Sequence, residues 1–545
     1  MTLRQAEETG QLMRRLFVAS ALALFAAPAL AQQMLPTPAR TAIEGAGPYP
    51  LLVIRGVTVI QGDGAPPYGP ADVVIAGGRI ADILPAGTPG LPMKTDRQPR
   101  GAAREIDATG MYLLPGFVDM HGHSGDAGKA ADPSYPYKLW LAHGVTTVRG
   151  VPLFGGDVAR ALDDKRRSAA NAITAPRIFA YQTLGSGWPQ GRVDTPDQAR
   201  LWVRWAAKQG VDGIKFFNRG DETPAIIRAA IDEARKHGMG TVAHLSQPGV
   251  AGFNARDAAA AGLGTITHFY GHMESLLKDR RLQDYPADYN FNDEARRFGG
   301  IAEIWNQTHE PGGPEWVEYL KAQKATGVTF DPTLNIYSAS RDLMRARNAD
   351  WHSIYTWPAL TDFYQSNRDN HGSYFYDWTT AREVTWRNFY GRYMRLVNDY
   401  KNLGGRVTTG SDSGFIWQTW GFGYVLELEM LQEAGFSPLE VIEAATINGA
   451  RTLSEPRQRE PDFGLVRRGM AADLVIVPEN PLQNLKTLYG TGVERLNETT
   501  NRQDRVGGVR WTIKDGIVYD ARALLADVAK MVADEKARRA AGTAR

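Results

Sequence analysis

The sequence contains no cysteine. That excludes disulfide scaffolds, thiolate metal sites, cysteine nucleophiles and a lipidated cysteine, so any metal must be held by nitrogen and oxygen. A bias of charge is missing too. The 62 basic and 60 acidic residues leave a net charge of +2, which gives no electrostatic footprint for nucleic acid. No apolar run is long enough to span a bilayer. With 43% apolar and 22% charged residues over 545 positions, a disordered majority is excluded and a large core is affordable.

What is present begins with an export signature. Arg14 and Arg15 precede an apolar run from Leu16 to about Ala27, and Ala29-Leu30-Ala31 is a small-x-small cleavage site. Residues 1–31 are expected to be a signal peptide, with Met13 as an alternative start. The mature chain is expected to be exported, to the periplasm or the medium, without a membrane anchor.

Both ends of the remaining chain are β-rich. Leu51 to Ile60 is one β-branched stretch, and Ala71 to Ile83 is another broken at Gly77-Gly78. The texture returns at Ala472 and again from Val509 to Asp520, with a turn at Asp515-Gly516. One small β-sandwich is expected, from residues 50–112 and 464–520. Between them, strand and helix alternate. Candidate strands are 117–121, 145–149, 177–182, 213–217, 241–245, 265–269, 328–333 and 406–412. Helix starts stand at Thr195-Pro196 (read as a capping box with Gln198), Thr223-Pro224 and Ser437-Pro438. The fold class is α/β: a (β/α)8 TIM barrel over 113–420, helices associated with it over 421–463, and a C-terminal helix and tail over 521–545. A doubly wound sheet is the alternative, but no GxGxxG follows a first strand.

Two segments exceed a minimal barrel. Residues 273–326 are long and polar. Within an insertion at 337–402, 14 of the 50 residues from Trp351 to Tyr400 are aromatic. These rings either line a substrate pocket or pack the insertion on itself or on another subunit; a homo-oligomer is expected.

Four of the ten histidines fall at or near candidate strand ends: His121, His123, His244 and His268. Asp412 ends the eighth strand. Barrels place chemistry at the carboxyl rim of their strands, so these five residues point to a metal site, with donors enough for two ions. Lys215 ends the fourth strand among apolar neighbours. A buried ammonium there is costly unless it pairs with a carboxylate, snorkels out, or reacts with carbon dioxide to become a carbamate able to bridge two metals.

These motifs resemble the metal-dependent amidohydrolase superfamily, in its imidazolonepropionase-like and prolidase-like dipeptidase branch. The matching pieces include LLPGFVDMHGH (113–123), HGVTTVRG (143–150), GIKFF (213–217), TVAHL (241–245), TITHF (265–269) and TGSDSG (409–414). The resemblance implies His121 and His123 on one metal, Lys215 as an N6-carboxylysine bridge, His244 and His268 on the other, and Asp412 near the nucleophilic water. It implies two divalent ions, zinc above all. The expected reaction is hydrolysis of an amide or peptide-like C–N bond of a small molecule with an apolar or aromatic part, of dipeptide or N-acyl amino acid type, with Asp412 as catalytic proton carrier. A lactonase, cyclic amidase or deaminase on the same metals is the alternative. A metal-binding or structural protein without catalysis is the alternative of another class. His272, Tyr270 and Arg149 are candidate substrate-binding residues. The chain departs from the family pattern at Gly122, at Gly410-Ser411-Asp412-Ser413, and after His268, where Phe269-Tyr270-Gly271-His272 follows. These departures change the pocket wall, so no relative's substrate carries over.

Overall fold

Seven short strands run parallel in chain order: Phe117–Gly122, Val145–Gly150, Arg177–Thr183, Gly213–Phe216, Gly240–His244, Thr265–Thr267 and Thr329–Asp331. The computed structural model describes residues 34–125, 128–150, 158–287, 289–368 and 370–542. The expected signal peptide lies outside them. The eighth candidate strand, 406–412, forms only a single parallel bridge, Phe330 to Val407. It nevertheless closes the ring. Thr408 N–H donates to Phe330 O (2.9 Å), Met120 N–H to Thr409 O (2.8 Å) and Asp412 N–H to His121 O (2.8 Å). Gly410 makes this closure possible, since a Cβ there would stand 2.6 Å from Asp331 Oδ1 and 2.7 Å from the His121 Cβ.

The helices between the strands start where proline and hydroxyl residues mark them. Thr223 caps Pro224–Lys236, and Ser437 with Glu440 forms a complete capping box on Pro438–Ala445. At Pro196–Gln209 only half of the expected box forms. Thr195 accepts from Gln198 N–H, but the Gln198 side chain bonds Asp194 N–H at 2.8 Å instead of the cap residue. The helix ends at Gly210 in the left-handed conformation.

Both ends of the chain build the β-sandwich. Its ladder runs Gly45–Ala46, Ile517–Asp520, Trp511–Lys514, Leu474–Val477, Tyr112–Pro115, Leu52–Val59, Tyr68–Ala76 and Arg79–Pro85, with Arg104–Asp107 on Leu52–Val59. Leu474–Val477 lies antiparallel to Tyr112–Pro115, which joins the two ends across the barrel sequence. A separate two-stranded ribbon, Val493–Asn497 with Arg502–Val506, stands off this ladder. Leu52, Ile54, Val73, Leu474 and Ile513 share a core with Val118 and Met120 of the first barrel strand, so sandwich and barrel are packed together. The C-terminal helix Ala521–Ala540 docks its stripe of Leu524, Leu525, Val528 and Val532 into the main core. No helix among the described residues is long and apolar enough to cross a membrane.

The aromatic insertion has an unexpected part in this scheme. Its long helix, Thr380–Asn402, presents Trp386, Phe389, Tyr390, Tyr393 and Tyr400 along one buried face. Phe330 of the seventh strand stacks on Tyr400 at 3.7 Å, and the hydroxyls of Tyr390 and Tyr393 donate to Leu334 O (2.6 Å) and Pro332 O (3.1 Å). This helix packs on the barrel wall as a barrel helix does.

Candidate active site

At the carboxyl rim, one side chain from each of several strands converges. His123 Nε2 lies 3.0 Å from Asp412 Oδ1, His121 Nε2 lies 3.6 Å from the same oxygen, and His268 Nε2 lies 3.5 Å from Asp412 Oδ2. The His244 ring stands 4.4 Å from that of His268. Lys215 Nζ comes within 3.1 Å of His121 Nε2. The ligating atoms of His121, His268 and Asp412 all lie within 4.8 Å of one another. All six residues expected at the centre are therefore together. His268 and Asp412 hold left-handed backbones, φ 64° and 47°, a strained conformation for non-glycine residues that functional sites retain.

Surrounding groups fix the rings. His121 Nδ1 pairs with Thr267 Oγ1 at 2.7 Å, and His268 Nδ1 pairs with Thr333 Oγ1. In each, the other nitrogen, Nε2, is turned toward Asp412. Asp119, two residues before His121, accepts from Trp140 Nε1 (2.9 Å), Ser411 N–H (2.9 Å), Ser411 Oγ (2.6 Å) and His121 N–H (3.1 Å). It ties the first strand to the segment that carries Asp412. Glu222 accepts from the N–H groups of Phe217 and Asn218, both at 2.7 Å, and braces the chain just beyond Lys215.

Burial sets the protonation of this cluster. It drives His121 well below its ordinary value, with the Lys215 charge adding to the effect, and lowers His268 to about 3 against the attraction of Asp412. His244 is also held well below its ordinary value, by burial and then by His268. Burial brings Lys215 down to about 7, although Asp412 favours its charged form. For Asp412 itself burial opposes ionisation, but the hydrogen bond with His123 and the charges of His123, His268 and Lys215 keep it below the usual carboxylate value. The centre thus offers the neutral imidazoles of His121, His244 and His268 and an ionised carboxylate, a donor set that suits a divalent metal ion. His268 Nε2 is buried and makes no hydrogen bond among the described residues, a cost that a bound ion would relieve. The residues fit a metal.

The three candidate substrate-binding residues stand elsewhere than expected. Arg149 is buried below the centre, where Nη1 donates to Thr265 Oγ1 (3.1 Å) and Nη2 to Asp331 Oδ2 (3.0 Å). Its charge opposes the burial that raises the Asp331 carboxyl to about 6. His272 is buried against Phe330, with Nδ1 2.6 Å from the Tyr319 hydroxyl, and burial lowers it to about 3. Tyr270 is fully buried and stacks on His244 at 5.1 Å. None of the three lines the cavity above the centre.

That cavity, of about 500 Å³, has His121, His123, His244 and Asp412 in its lining, and Phe217, Phe298, Tyr337 and Phe415 among its walls. Among the described residues of the aromatic stretch 351–400, only His371 reaches it. The rings expected there back the wall. Tyr374 stacks on Phe298 at 4.2 Å, Trp386 stacks on Tyr337 at 5.8 Å, and Phe363 meets Phe415 edge-on at 6.0 Å. Several positions around the site had escaped sequence reasoning: Asp119, Asp331, Tyr337 and Arg297. Asp119 and Asp331 had a usable signal, a carboxylate on or at the end of a strand bearing or adjoining a ligand. Tyr337 and Arg297 lie outside any strand-end motif and had none.

The sequence profile of the amidohydrolase family matches residues 112–518. The N-acyl-D-aspartate deacylase of Alcaligenes xylosoxydans xylosoxydans is 29% identical over 165 residues, 29% of this chain and 28% of that protein. The chain spans less than a third of that curated relative's length. Among solved structures, a Xaa-Pro dipeptidase with bound methionine superposes with a TM-score of 0.56 at 19% identity, covering 86% of this chain and 100% of that one. The bottromycin amidohydrolase superposes with a TM-score of 0.58 at 20% identity, covering 87% and 90%. These structural likenesses concern the fold.

Proposed function

The chain belongs to the amidohydrolase family, and from that premise we propose that it is a metal-dependent hydrolase cleaving an amide or peptide-like C–N bond of a small molecule. The single observation that carries the reading is the meeting of four imidazoles, Lys215 and Asp412 at one barrel rim. His121, His123, His244, His268 and Asp412 would hold two divalent ions, zinc by donor chemistry, and Lys215 as a carbamate would supply the oxygens between them. Bound there, such ions supply Lewis-acid polarisation of a carbonyl and water made acidic near neutral pH.

The chain's own residues do the rest. Lys215, brought to about 7 by burial, has an appreciable unprotonated fraction, the form that reacts with carbon dioxide. Asp412 is ionised and held by His123 at 3.0 Å, so an oxygen of its carboxylate can accept a proton from the attacking water and return it to the leaving nitrogen. The aromatic walls exclude water and take an apolar part of the substrate. Support for amide cleavage comes from the family model and from the relative named a deacylase.

The test is a panel of dipeptides, N-acyl amino acids, lactones and aminated heterocycles offered to zinc-loaded protein. Cleavage of amides that a chelator abolishes is the expected result. Turnover confined to lactones or heterocycles would replace the leaving group, and no turnover of any class would leave a metal-binding protein. We also propose export to the periplasm or medium, on the motif at residues 14–31.

A further inference from the structure

Among its described lining residues the cavity has one carboxylate, Asp412, against two guanidinium groups, Arg219 and Arg297. The two cations differ in how they are held. Arg219 is exposed and lies over the Phe217 ring at 4.8 Å. Arg297 is fixed from two sides, its Nε donating to Gln247 Oε1 (3.1 Å) and its Nη1 to Glu294 Oε1 (3.2 Å). Gln247 is itself buried, and its amide nitrogen donates to the hydroxyls of Tyr285 (3.0 Å) and Tyr289 (2.7 Å). Tyr289 in turn donates to the Arg297 carbonyl at 3.1 Å, so the amide and the guanidinium hold each other in place. Glu294 also pairs its second oxygen, Oε2, with His371 Nδ1 at 3.0 Å, which divides its negative charge between two partners. Nη2 of Arg297 makes no hydrogen bond among the described residues. A guanidinium already immobilised in this way loses little entropy on binding, and its planar fork matches a carboxylate.

We infer that Arg297 receives a carboxylate of the substrate while Phe217, Phe298, Tyr337 and Phe415 hold an apolar or aromatic group. The substrates are then anionic amides of the N-acyl amino acid type with a bulky apolar part. Gln247 and Glu294 are positioning residues for the arginine. This inference rests on the hydrolase reading above and adds to it a residue from the polar segment 273–326.

Two probes separate the questions. N-benzoyl-phenylalanine and N-benzoyl-phenethylamine share one scissile amide and differ by a single carboxylate. With zinc-loaded wild type, the acid should be hydrolysed with kcat/KM about 10- to 100-fold above its neutral analogue. Arg297→Met should remove most of that difference through KM, lower kcat/KM for the acid far more than for the neutral amide, and retain a wild-type circular dichroism spectrum; Arg297→Lys should keep part of the preference. Equal turnover of both probes by wild type, or equal losses in Arg297→Met, would overturn the inference while the hydrolase stands. Calorimetry covers the case of no turnover. Binding of the acid that weakens at least about tenfold in Arg297→Met upholds the carboxylate site and counts against amide hydrolysis. Binding that Arg297→Met leaves unchanged, or no binding at all, overturns the site.

Discussion

Lys215 Nζ lies 3.1 Å from His121 Nε2, joining the fourth strand of the barrel to the first. A proton-bearing ammonium in that place competes with any cation for the same imidazole. Burial relieves the conflict by lowering the lysine to about 7. Converted to a carbamate, the same side chain changes sign and becomes a ligand.

The first prediction follows directly. Protein prepared with ¹³C-bicarbonate should give a carbamate carbonyl resonance that Lys215→Met abolishes. Elemental analysis should fall from about two metals per chain to one or fewer in that variant. A Lys215→Met variant with full metal content and activity would reject the bridging role.

Asp412→Asn keeps size and one acceptor oxygen but cannot take a proton. The expected loss is about 10² to 10⁴ in kcat, with KM changed by less than about threefold. Steady-state kinetics on the substrate found in the panel decides this. A variant within about threefold of wild type in kcat removes Asp412 from proton transfer.

The Arg149–Asp331 pair under the site is fully buried. Arg149→Met leaves an unpaired buried carboxylate and should cost about 3–5 kcal/mol in denaturant unfolding. The double variant Arg149→Met, Asp331→Leu should recover much of that loss, because no charge is then stranded. If the single variant unfolds at the wild-type midpoint, the pair has no such role.

Acid should destabilise the metal-free protein. Burial holds His268 and His272 at about 3, against 6.5 for an unperturbed histidine. The unfolded chain binds these protons first, so the stability is complete above about 6.5 and is lost as pH falls toward 3, at up to roughly 1.4 kcal/mol per pH unit for each ring. Thermal melts between about pH 8 and 5 should show the decline, and His272→Leu should flatten its slope by about one proton. Loss of the contact between His272 and the Tyr319 hydroxyl in that variant adds an offset with no pH dependence in this range. An unchanged slope would mean that His272 is protonated in the fold.

Export makes a chemical prediction. Protein recovered outside the cytoplasm of its own host should begin at Gln32 by N-terminal sequencing. A mature chain that retains Arg14 would defeat the signal-peptide reading.

Much of the fold was legible in the chain because its signals are local. β-Branched runs and turn pairs such as Asp515-Gly516 marked strands from neighbouring residues alone, and Thr223 and Ser437 marked helix starts. The six residues of the centre were legible for a related reason: each sits at a strand end, and a parallel barrel gathers strand ends on one rim. The fate of the aromatic stretch was not. Composition announces rings to be buried, but helix Thr380–Asn402 turns Trp386, Phe389 and Tyr393 onto the barrel because the seventh strand needs a cover, and so the cavity wall passes to Phe298, Tyr337 and Phe415.

Local sequence already marks the groups that meet at the rim: no thiols, four histidines and Asp412 at or near strand ends, and Lys215 among apolar neighbours. Only the tertiary structure decided their surroundings. Arg149 lies on the second strand and reads as a rim residue, yet its guanidinium goes to Asp331, 182 positions away. His272 follows His268 by four residues, yet turns to Tyr319. Arg297 stands in a polar segment without a motif and reaches the cavity through Gln247, 50 positions distant. Strand-end placement follows from local periodicity. The partner of a long polar side chain is set by which distant groups the fold buries beside it, since a buried charge or donor must be satisfied wherever a partner lies.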